Sequence, residues 1–407
     1  MNPQRKVLTL FGTRPEAIKL APVLRKLQTL GDGLKTVNVT SAQHTDLLYA
    51  QTSFLRIRID HDLRVMRPNQ KPNQVCSRIL SALDDVLVAE NPDLMLVQGD
   101  TSTALAGALA AFHLDIPVAH IEAGLRSGNS RNPFPEEMNR QLITRLATYH
   151  FAATRNNRAT LLAEGVHPNA VFVTGNPVID SLREILKGNT ASTTVSELIR
   201  ETCDLKRLVL TTHRRESFGH VVGRNLKDIR TFVESHQDVA LIFPVHPNPE
   251  VAGPAARILG GHPRIKLIKP LNYEDFIILL SNAWLIVSDS GGLQEEAPTL
   301  GKPLLVIREN TERPEALETG IARLVGSRPE SLLQMLEEAY QPGSWTSKVK
   351  KMKNPFGAGD SGDKIARIVA AIVNKERGRP RPSSKSSCSS KNKSMNVATH
   401  YLVALSK

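Results

Sequence analysis

The chain has 407 residues, of which 41% are hydrophobic and 23% are charged, and its formal net charge is +12. This composition predicts two or three globular domains, and no apolar run reaches the roughly 18 residues of a membrane span. The segment 375–407 carries eight Lys or Arg and one Glu, a net +7, so the rest of the chain carries only +5. Charge confined to one segment and only 4% aromatic residues argue against nucleic acid or membrane as a partner.

The start of the chain and its cysteines indicate the cellular compartment. The residues before the strand pattern at 6–12 are too few for a signal peptide. Cys76, Cys203 and Cys388 lie in unrelated contexts, without the spacing of metal ligands. They predict reduced thiols, no bound metal and a cytoplasmic protein.

Apolar strands alternate with amphipathic helices along most of the chain. The predicted strands of the first half are 6–12, 35–41, 94–99, 117–122, 149–153 and 170–174. Those of the second half are 207–212, 240–245, 265–269, 284–288, 303–307 and 322–325. Such βαβ alternation predicts an α/β protein with two doubly wound, Rossmann-like domains that face a cleft.

The predicted organisation has four parts. The N-terminal domain covers 1–187 and the C-terminal domain 188–353, with a linker loop expected around 188–205, where Gly, Thr and Ser interrupt the pattern. A Gly-rich loop opens the segment 354–376, whose helix is expected to begin near Gly362 and to join the two domains. The basic segment 377–407 is of low complexity and is expected to be disordered.

The stretch 288–297, SDSGGLQEEA, follows a buried strand and opens a helix. Free backbone N–H groups at a helix start, and glycines that permit close approach, favour a diphosphate at Ser290, Gly291 and Gly292. An ordinary βα turn with a Gly-Gly hinge is the alternative. The acidic residues of the first helical turn make sense if they reach past the phosphates to sugar hydroxyls, as an acid contacts ribose in dinucleotide folds. The stretch therefore predicts a nucleotide diphosphate ligand, such as a nucleotide sugar.

The first strand ends in Gly-Thr-Arg-Pro-Glu, where Thr13 and Glu16 match a capping box. Arg14 and Lys19 follow in the first turns of the helix, where a cation opposes the helix dipole. This placement favours a bound anion nearby, although a well-capped helix without ligand is the alternative.

Three carboxylates follow consecutive strands of the first half. Asp100 ends one strand, Glu122 ends the next, and Glu136 lies in the Pro-rich loop after it. Asp100 could equally cap a helix that begins at Thr101, and Glu136 could simply interact with the positive end of the helix dipole. As a set, the three are candidates for acid and base proton transfer.

Basic residues mark the strand ends of the second half. His213 is followed by two arginines, His246 ends the next strand, and Arg313 follows the strand at 303–307. A histidine with two arginines at the edge of a cleft is typical of a phosphate site. Arg313 is expected to close over the ligand.

Together these motifs resemble the non-hydrolysing UDP-N-acetylglucosamine 2-epimerases. The resemblance extends from about residue 5 to about residue 375, and each motif alone is weak. Its carriers, in order, are GTRPE (12–16), QGDT (98–101), HIEAGLR (120–126), PEEMNR (135–140), THRRES (212–217), SDSGGLQEE (288–296) and RPE (313–315).

The resemblance implies a GT-B-like pair of domains, a homodimer, and neither metal nor nicotinamide cofactor. It implies reversible conversion of UDP-N-acetylglucosamine (UDP-GlcNAc) to UDP-N-acetylmannosamine (UDP-ManNAc), which supplies ManNAc units for cell-surface polysaccharide. Carbon 2 loses its proton and UDP leaves, giving 2-acetamidoglucal; UDP then re-adds as a proton returns to the opposite face. Two alternatives remain open: a 2-epimerase of another UDP-2-acetamido sugar, and a GT-B glycosyltransferase.

The resemblance also implies roles for residues. Serine and glycines hold the diphosphate, Glu296 the ribose, and Leu271 and Phe276 frame the uracil. The implied substrate-binding residues are Arg14, Lys19, Leu271, Phe276, Ser290, Gly291, Gly292, Glu296 and Arg313. The implied catalytic residues are Asp100, Glu122, Glu136 and His213.

Some bacterial members of that family bind a second UDP-GlcNAc as an activator. Gln43, Gln70 and His246 match the residues of that site, whereas Asp46 and Asn69 depart from them. The sequence therefore leaves activation by a second UDP-GlcNAc open.

Overall fold

The computed structural model describes residues 4–30, 33–42, 45–67, 70–188, 191–212, 220–326 and 331–375. Three residues of the predicted sites, Gln43, Asn69 and His213, lie outside these ranges, as does the basic segment 377–407. Within them, no helix is both long and apolar enough to cross a membrane.

The described chain forms thirteen strands and fifteen α-helices. The strands are β1 (Arg5–Phe11), β2 (Leu34–Thr40), β3 (His61–Asp62), β4 (Leu94–Gln98), β5 (Val118–Ala123), β6 (Tyr149–Ala152), β7 (Val171–Val173), β8 (Lys206–Thr211), β9 (Val239–Pro244), β10 (Ile265–Ile268), β11 (Leu285–Ser288), β12 (Leu304–Val306) and β13 (Ala322–Leu324). The helices of the first half are α1 (Arg14–Thr29), α2 (Thr45–Phe54), α3 (Pro72–Glu90), α4 (Ser102–His113), α5 (Glu136–Leu146), α6 (Arg155–Ala163) and α7 (Val178–Gly188). Those that follow are α8 (Thr193–Glu201), α9 (His220–Ser235), α10 (Pro249–Leu259), α11 (Tyr273–Ser281), α12 (Leu293–Leu300), α13 (Pro314–Glu318), α14 (Ser331–Tyr340) and α15 (Ser361–Lys375).

The strands form two parallel sheets. The first sheet has the order β3-β2-β1-β4-β5-β6-β7, and the second has the order β10-β9-β8-β11-β12-β13. The strand order reverses between β1 and β4 in the first sheet and between β8 and β11 in the second. In such sheets, ligands bind beyond the carboxyl ends of the strands at these reversals. The predicted α/β fold with two doubly wound sheets is confirmed.

The strands form where the sequence is continuously apolar, because parallel strands are covered by helices on both faces. All five residues of β4, Leu-Met-Leu-Val-Gln, are buried. One hydrophobic cluster extends from the first sheet through α1, α7, α11 and α15 to the second sheet. The two halves of the molecule therefore share a core, and the edges of both sheets are held close together.

The structure corrects two details of the sequence prediction. The segment expected to be a linker, 188–205, contains helix α8, which Ser192 caps by accepting a hydrogen bond from the Val195 N–H. Val195 and Leu198 are the buried side chains of this helix. The Thr and Ser residues near its start made the sequence resemble a loop. The two-residue strand β3 is too short to have a sequence signal. The exact domain boundaries stay a prediction.

Helix α15 packs against α1, and the contact is close at one glycine. A Cβ atom added at Gly362 would lie 2.8 Å from Pro22 Cβ and 2.9 Å from the Pro22 carbonyl carbon. Backbone atoms cannot move aside as a flexible side chain can, so only glycine fits here.

We expect Gly362→Ala to lower the free energy of unfolding by about 1–3 kcal/mol, the usual range for overpacking a core. The control is Gly253→Ala in α10, where an added Cβ meets nothing within 4 Å. That change should instead stabilise the protein by up to about 1 kcal/mol. Denaturant titration checks both variants, and a Gly362→Ala protein as stable as the wild type would contradict the close packing.

Candidate functional site

A lysine and a glutamate meet at the carboxyl edge of the first sheet. Lys19, from α1, donates to both carboxylate oxygens of Glu122, at 2.6 and 2.7 Å. Both side chains are nearly inaccessible to solvent. Glu122 has φ of 67°, and the pairing of β5 with β6 shifts register at this residue. Non-glycine residues rarely adopt this conformation, and those that do are concentrated at functional sites.

The second sheet contributes an arginine to the same carboxylate. Arg313, which precedes α13, donates through Nε to Glu295 Oε1 at 2.8 Å and through Nη1 to Glu312 Oε1 at 2.5 Å. Its Nη2 lies 3.4 Å from Glu122 Oε1. Lys19 Nζ in turn lies 3.9 Å from Glu295 Oε2. Charges from both halves of the molecule therefore form one buried cluster.

Two amide side chains complete the cluster. Gln98, at the end of β4, donates to Glu122 Oε2. Asn176, between β7 and α7, donates to Glu122 Oε1 at 3.2 Å and to Glu295 Oε2 at 2.9 Å. The Glu122 carboxylate is thus held by a lysine, an arginine and two amides, a set that favours its ionised form.

The two glutamates differ in acidity. Burial alone would raise the pKa of Glu122, but Lys19 and Arg313 outweigh burial and lower this pKa to about 2. For Glu295 burial is decisive, and it raises the pKa to about 7 against the opposing charge of Arg313. Burial also disfavours the charge of Lys19, yet Glu122 and Glu295 overcome it and leave the pKa of Lys19 raised. One carboxylate is therefore firmly ionised at neutral pH, and the other can carry a proton.

Asp100 belongs to a second group of charges that adjoins the first. Arg140 of α5 contacts Asp100 Oδ2 through Nε at 2.8 Å and through Nη2 at 2.7 Å. The same arginine contacts Glu137 at 2.9 Å and lies 3.8 Å from Glu312. The alternative that Asp100 caps α4 is wrong, because the Thr101 hydroxyl accepts the hydrogen bond from the Ala104 N–H.

Glu136, predicted to join Asp100 and Glu122, is half-buried at the first position of α5. Its neighbour Glu137 is fully buried and accepts from the Ser127 N–H at 3.0 Å. Glu137 is the buried carboxylate at the start of α5, and it contacts Arg140 at 2.9 Å.

The Ser-Gly-Gly stretch lies beside Arg313, and its role as a diphosphate site stays a prediction. A Cβ atom added at Gly291 would lie 2.7 Å from Arg313 Nη1 and 2.8 Å from Glu312 Oε1. Helix α12 starts directly after Gly292, so its first backbone N–H groups and the arginine are next to each other. This pairing of a helix start with a cation is typical of anion sites.

Next to this helix start lies the predicted ribose contact. Glu296 is buried and accepts from the Tyr273 hydroxyl at 2.7 Å. Burial raises the pKa of Glu296, whereas the hydrogen bond from Tyr273 and the charges of Lys19 and Arg14 act in the opposite direction. Leu271 and Phe276, predicted to frame a base, are half-buried on the same side of the second sheet, at and just before α11.

The described residues of the predicted activator site are not brought into this cluster. Gln70 bonds within its own loop, to the Arg67 N–H at 2.6 Å and the Val65 carbonyl at 3.2 Å. His246 is exposed after β9. Activation by a second UDP-GlcNAc therefore stays open.

Sequence reasoning missed several members of the cluster. Glu295 belongs to the stretch 288–297, but no separate role was assigned to it. The pair of acidic residues in the first turn of the helix was the pattern that could have indicated it. Asn176 had no local signal, because Glu122 and Glu295 lie 54 and 119 residues away in sequence. Arg140 stood in the stretch 135–140 without a role of its own, because Asp100 is 40 residues away in sequence.

Two parallel doubly wound sheets with charged groups shared between their carboxyl edges define a GT-B-like α/β protein. The family model described as UDP-N-acetylglucosamine 2-epimerase matches residues 28–370. The chain belongs to the UDP-N-acetylglucosamine 2-epimerase family, which confirms the resemblance inferred from its motifs.

Individual relatives agree over nearly the whole length. A protein of Ralstonia solanacearum described as a probable UDP-N-acetylglucosamine 2-epimerase is 45% identical, and the match covers 90% of this chain and 99% of that protein. The crystal structure of the Neisseria meningitidis UDP-GlcNAc 2-epimerase bound to UDP-GlcNAc is similar with a TM-score of 0.85 and 39% identity, covering 90% of this chain and 100% of that one. A Staphylococcus aureus structure with UDP has a TM-score of 0.86 and 38% identity, covering 94% and 100%.

The raised pKa of Glu295 makes the stability of the fold depend on pH. Between its ordinary value of 4.5 and about 7, the folded protein holds a proton on Glu295 that the unfolded chain releases. Stability from this residue therefore falls as pH rises through this window. As the pH is raised from 5 to 8, we expect the free energy of unfolding of Glu295→Gln to increase by on the order of 2 kcal/mol relative to that of the wild type.

Denaturant titrations at pH 5, 6, 7 and 8 measure this difference, in which groups that titrate alike in both proteins cancel. The control is Glu184→Gln, which removes a surface carboxylate paired with Arg25 and should follow the wild type at every pH. A stability difference for Glu295→Gln that is the same at pH 5 and pH 8 would contradict the assignment.

Proposed function

We propose that this protein interconverts UDP-GlcNAc and UDP-ManNAc by inverting carbon 2 of the sugar. The observation that carries the proposal is the buried cluster of Lys19, Glu122, Glu295 and Arg313, which lies beside the Ser-Gly-Gly helix start. It unites groups that can move a proton with cations that can stabilise a departing diphosphate. The Neisseria relative bound to UDP-GlcNAc supports the choice of substrate.

The reaction has two halves that mirror each other. A base removes the proton from carbon 2 while the bond between carbon 1 and the UDP oxygen breaks, and its electron pair leaves with UDP. This step forms 2-acetamidoglucal. UDP then adds back to carbon 1, and an acid returns a proton to carbon 2 from the opposite face.

The diphosphate would be held by the second half of the molecule. Gly291 and Gly292 offer backbone N–H groups at the start of α12, and Arg313 offers a cation beside them. Ser290, whose own N–H donates to Ser288 Oγ at 2.9 Å, would offer its hydroxyl. Positive charge aimed at a leaving group stabilises the transition state most strongly where water is excluded. Glu296 would bind the ribose, and Leu271 with Phe276 would frame the uracil.

The proton chemistry would belong mainly to the first half, with His213 and Glu295 added from the second. Glu122, ionised at neutral pH, and Asp100, beside Arg140, are the acid and base candidates, with Glu136 and His213 completing the proposed set. Glu295 adds a group whose pKa of about 7 suits proton exchange near neutral pH. Closure of the two halves would keep water from hydrolysing or releasing the intermediate.

In heavy water, the wild-type protein should convert UDP-GlcNAc to UDP-ManNAc and place solvent deuterium at carbon 2 of both sugars. Asp100→Asn and Glu122→Gln should each lower kcat by at least about 10²-fold, because each removes a proton-transfer group. UDP binding, measured by calorimetry, should be kept. Proton NMR of the sugars follows the exchange.

The matched control is Glu184→Gln, the same chemical change at the surface, which should keep wild-type turnover. Near-normal turnover of Glu122→Gln would refute its catalytic role. UDP-GlcNAc that binds but never exchanges its carbon 2 proton would refute the proposed reaction, and exchange on a different UDP-2-acetamido sugar would identify that sugar as the substrate.

We also propose a cytoplasmic homodimer. Cys76 and Cys203 are free thiols, as is usual in the reducing cytoplasm. Helices α3, α4 and α5 pack side by side against the first sheet and expose large apolar side chains, namely Val88, Phe112, Met138 and Leu142. Exposed apolar residues concentrated on adjoining helices favour a protein interface.

Sedimentation analysis tests the dimer. The wild-type protein should sediment as a dimer at micromolar concentration, and the double variant Phe112→Glu, Leu142→Glu as a monomer, because buried charges oppose association. Phe54→Glu is the control, since Phe54 is equally exposed but lies on α2. A monomeric wild type, or dissociation by Phe54→Glu alone, would contradict this interface.

A further inference from the structure

Asn176 occupies the point where the chain turns from the first sheet into α7. Its side chain is almost completely buried. Its backbone N–H donates to the Phe356 carbonyl at 2.7 Å, in the segment that leads into α15. The residue is therefore fixed to both the first sheet and the returning C-terminal segment.

The orientation of the Asn176 amide follows from its neighbours. Its Oδ1 accepts a hydrogen bond from the Val178 N–H at 3.1 Å, in the first turn of α7. Because an N–H group can only donate, the oxygen must face Val178 and the NH2 group must face away. The two N–H bonds then go to Glu122 Oε1 at 3.2 Å and Glu295 Oε2 at 2.9 Å.

Asn176 thus gives one hydrogen bond to each of two carboxylates from opposite halves of the molecule. The other groups described as bridging them, Lys19 and Arg313, are cations. If Lys19 and Arg313 also bind the substrate, they cannot interact with the two carboxylates alone. A neutral group with two donors fixes the position of both carboxylates without changing the net charge of the cluster.

We propose that Asn176 is a positioning residue for proton transfer, whose NH2 group holds Glu122 and Glu295 in a fixed relation across the two halves of the molecule. The inference rests on the proposed function, because it assigns Glu122 to the proton chemistry. Asn176 itself exchanges no proton with the sugar. It sets the place and direction of the carboxylate that does.

The discriminating variant is Asn176→Asp. Asp has the same shape and caps helices as well as Asn, so α7 is kept, but the NH2 donor becomes an oxygen that repels both carboxylates. At pH 8 we expect kcat to fall about 10²-fold, the cost of misplacing a reacting group by about 1 Å, with KM within a few-fold of the wild type.

The pH profile gives a signature that a merely structural residue would lack. As the pH is lowered, the introduced carboxyl group takes up a proton and can donate again to one glutamate. The ratio of variant to wild-type kcat should therefore rise toward pH 6. The charged groups that face this position are Lys19, Glu122, Glu295 and Arg313, and all are present in both proteins. Glu295, whose pKa is about 7, titrates in the same range, so the ratio reports the introduced carboxyl group together with its effect on Glu295.

The control is Asn248→Asp. Asn248 caps α10 through the same contact, with its Oδ1 accepting from the N–H two residues on, that of Glu250, at 2.9 Å. The side-chain hydrogen bonds described for Asn248 involve His246 and Glu250 and no residue of the cluster, and its substitution should leave kcat and the pH profile unchanged. Wild-type kcat for Asn176→Asp, or a ratio that does not change with pH, overturns the proposal.

A second readout does not depend on activity. Asn176→Ala, Glu295→Ala and the double variant form a cycle in which the unfolding midpoints should be non-additive, because one change removes the donor and the other the acceptor of the same hydrogen bond. Additive midpoints overturn the bridge. If the wild type fails to exchange the carbon 2 proton, the proposed function fails, and the cycle still decides whether the bridge exists.

Discussion

The site depends on one contact, the buried pair of Lys19 and Glu122. A carboxylate in this position without a cation would be neutralised, because the desolvation of an isolated buried charge costs several kcal/mol. Lys19 keeps the charge in place, and Arg313 from the second sheet adds to it. Buried ion pairs contribute little net stability compared with apolar residues, so a cluster of this size indicates function more than structural support.

The fold explains why these charges meet. Each sheet reverses its strand order once, and the residues that follow β1, β4 and β5 face those that follow β11 and β12. Neither sheet alone holds a complete cluster. A shared hydrophobic core keeps the two edges together, and in the dry space between them electrostatic interactions are stronger than in water.

Much of this could be predicted from the sequence, because buried parallel strands are continuous apolar runs and their ends carry the functional residues. The position of Lys19 near a helix start, which is unfavourable for a cation, indicated a charged site. The glycines of the stretch 290–292 indicated a close approach to the backbone. The alternative that Asp100 caps a helix is wrong because Thr101, one residue on, provides the cap. Asn176 could not be found, since both of its carboxylate partners are set by tertiary packing. Arg140 stood in a quoted motif, but its contact with Asp100 is likewise set by tertiary packing. Helix α8 was missed because only two of its side chains, Val195 and Leu198, are buried.

The central claim is that separate groups on opposite faces of the sugar remove and return the proton at carbon 2. UDP-GlcNAc carrying deuterium at carbon 2 tests it most directly, with turnover in ordinary water followed by mass spectrometry and NMR. The account predicts slower turnover than with unlabelled substrate, and UDP-ManNAc that has lost its deuterium to the solvent. UDP-ManNAc that keeps the deuterium at carbon 2 would contradict it, because a single group would then have returned the proton it took.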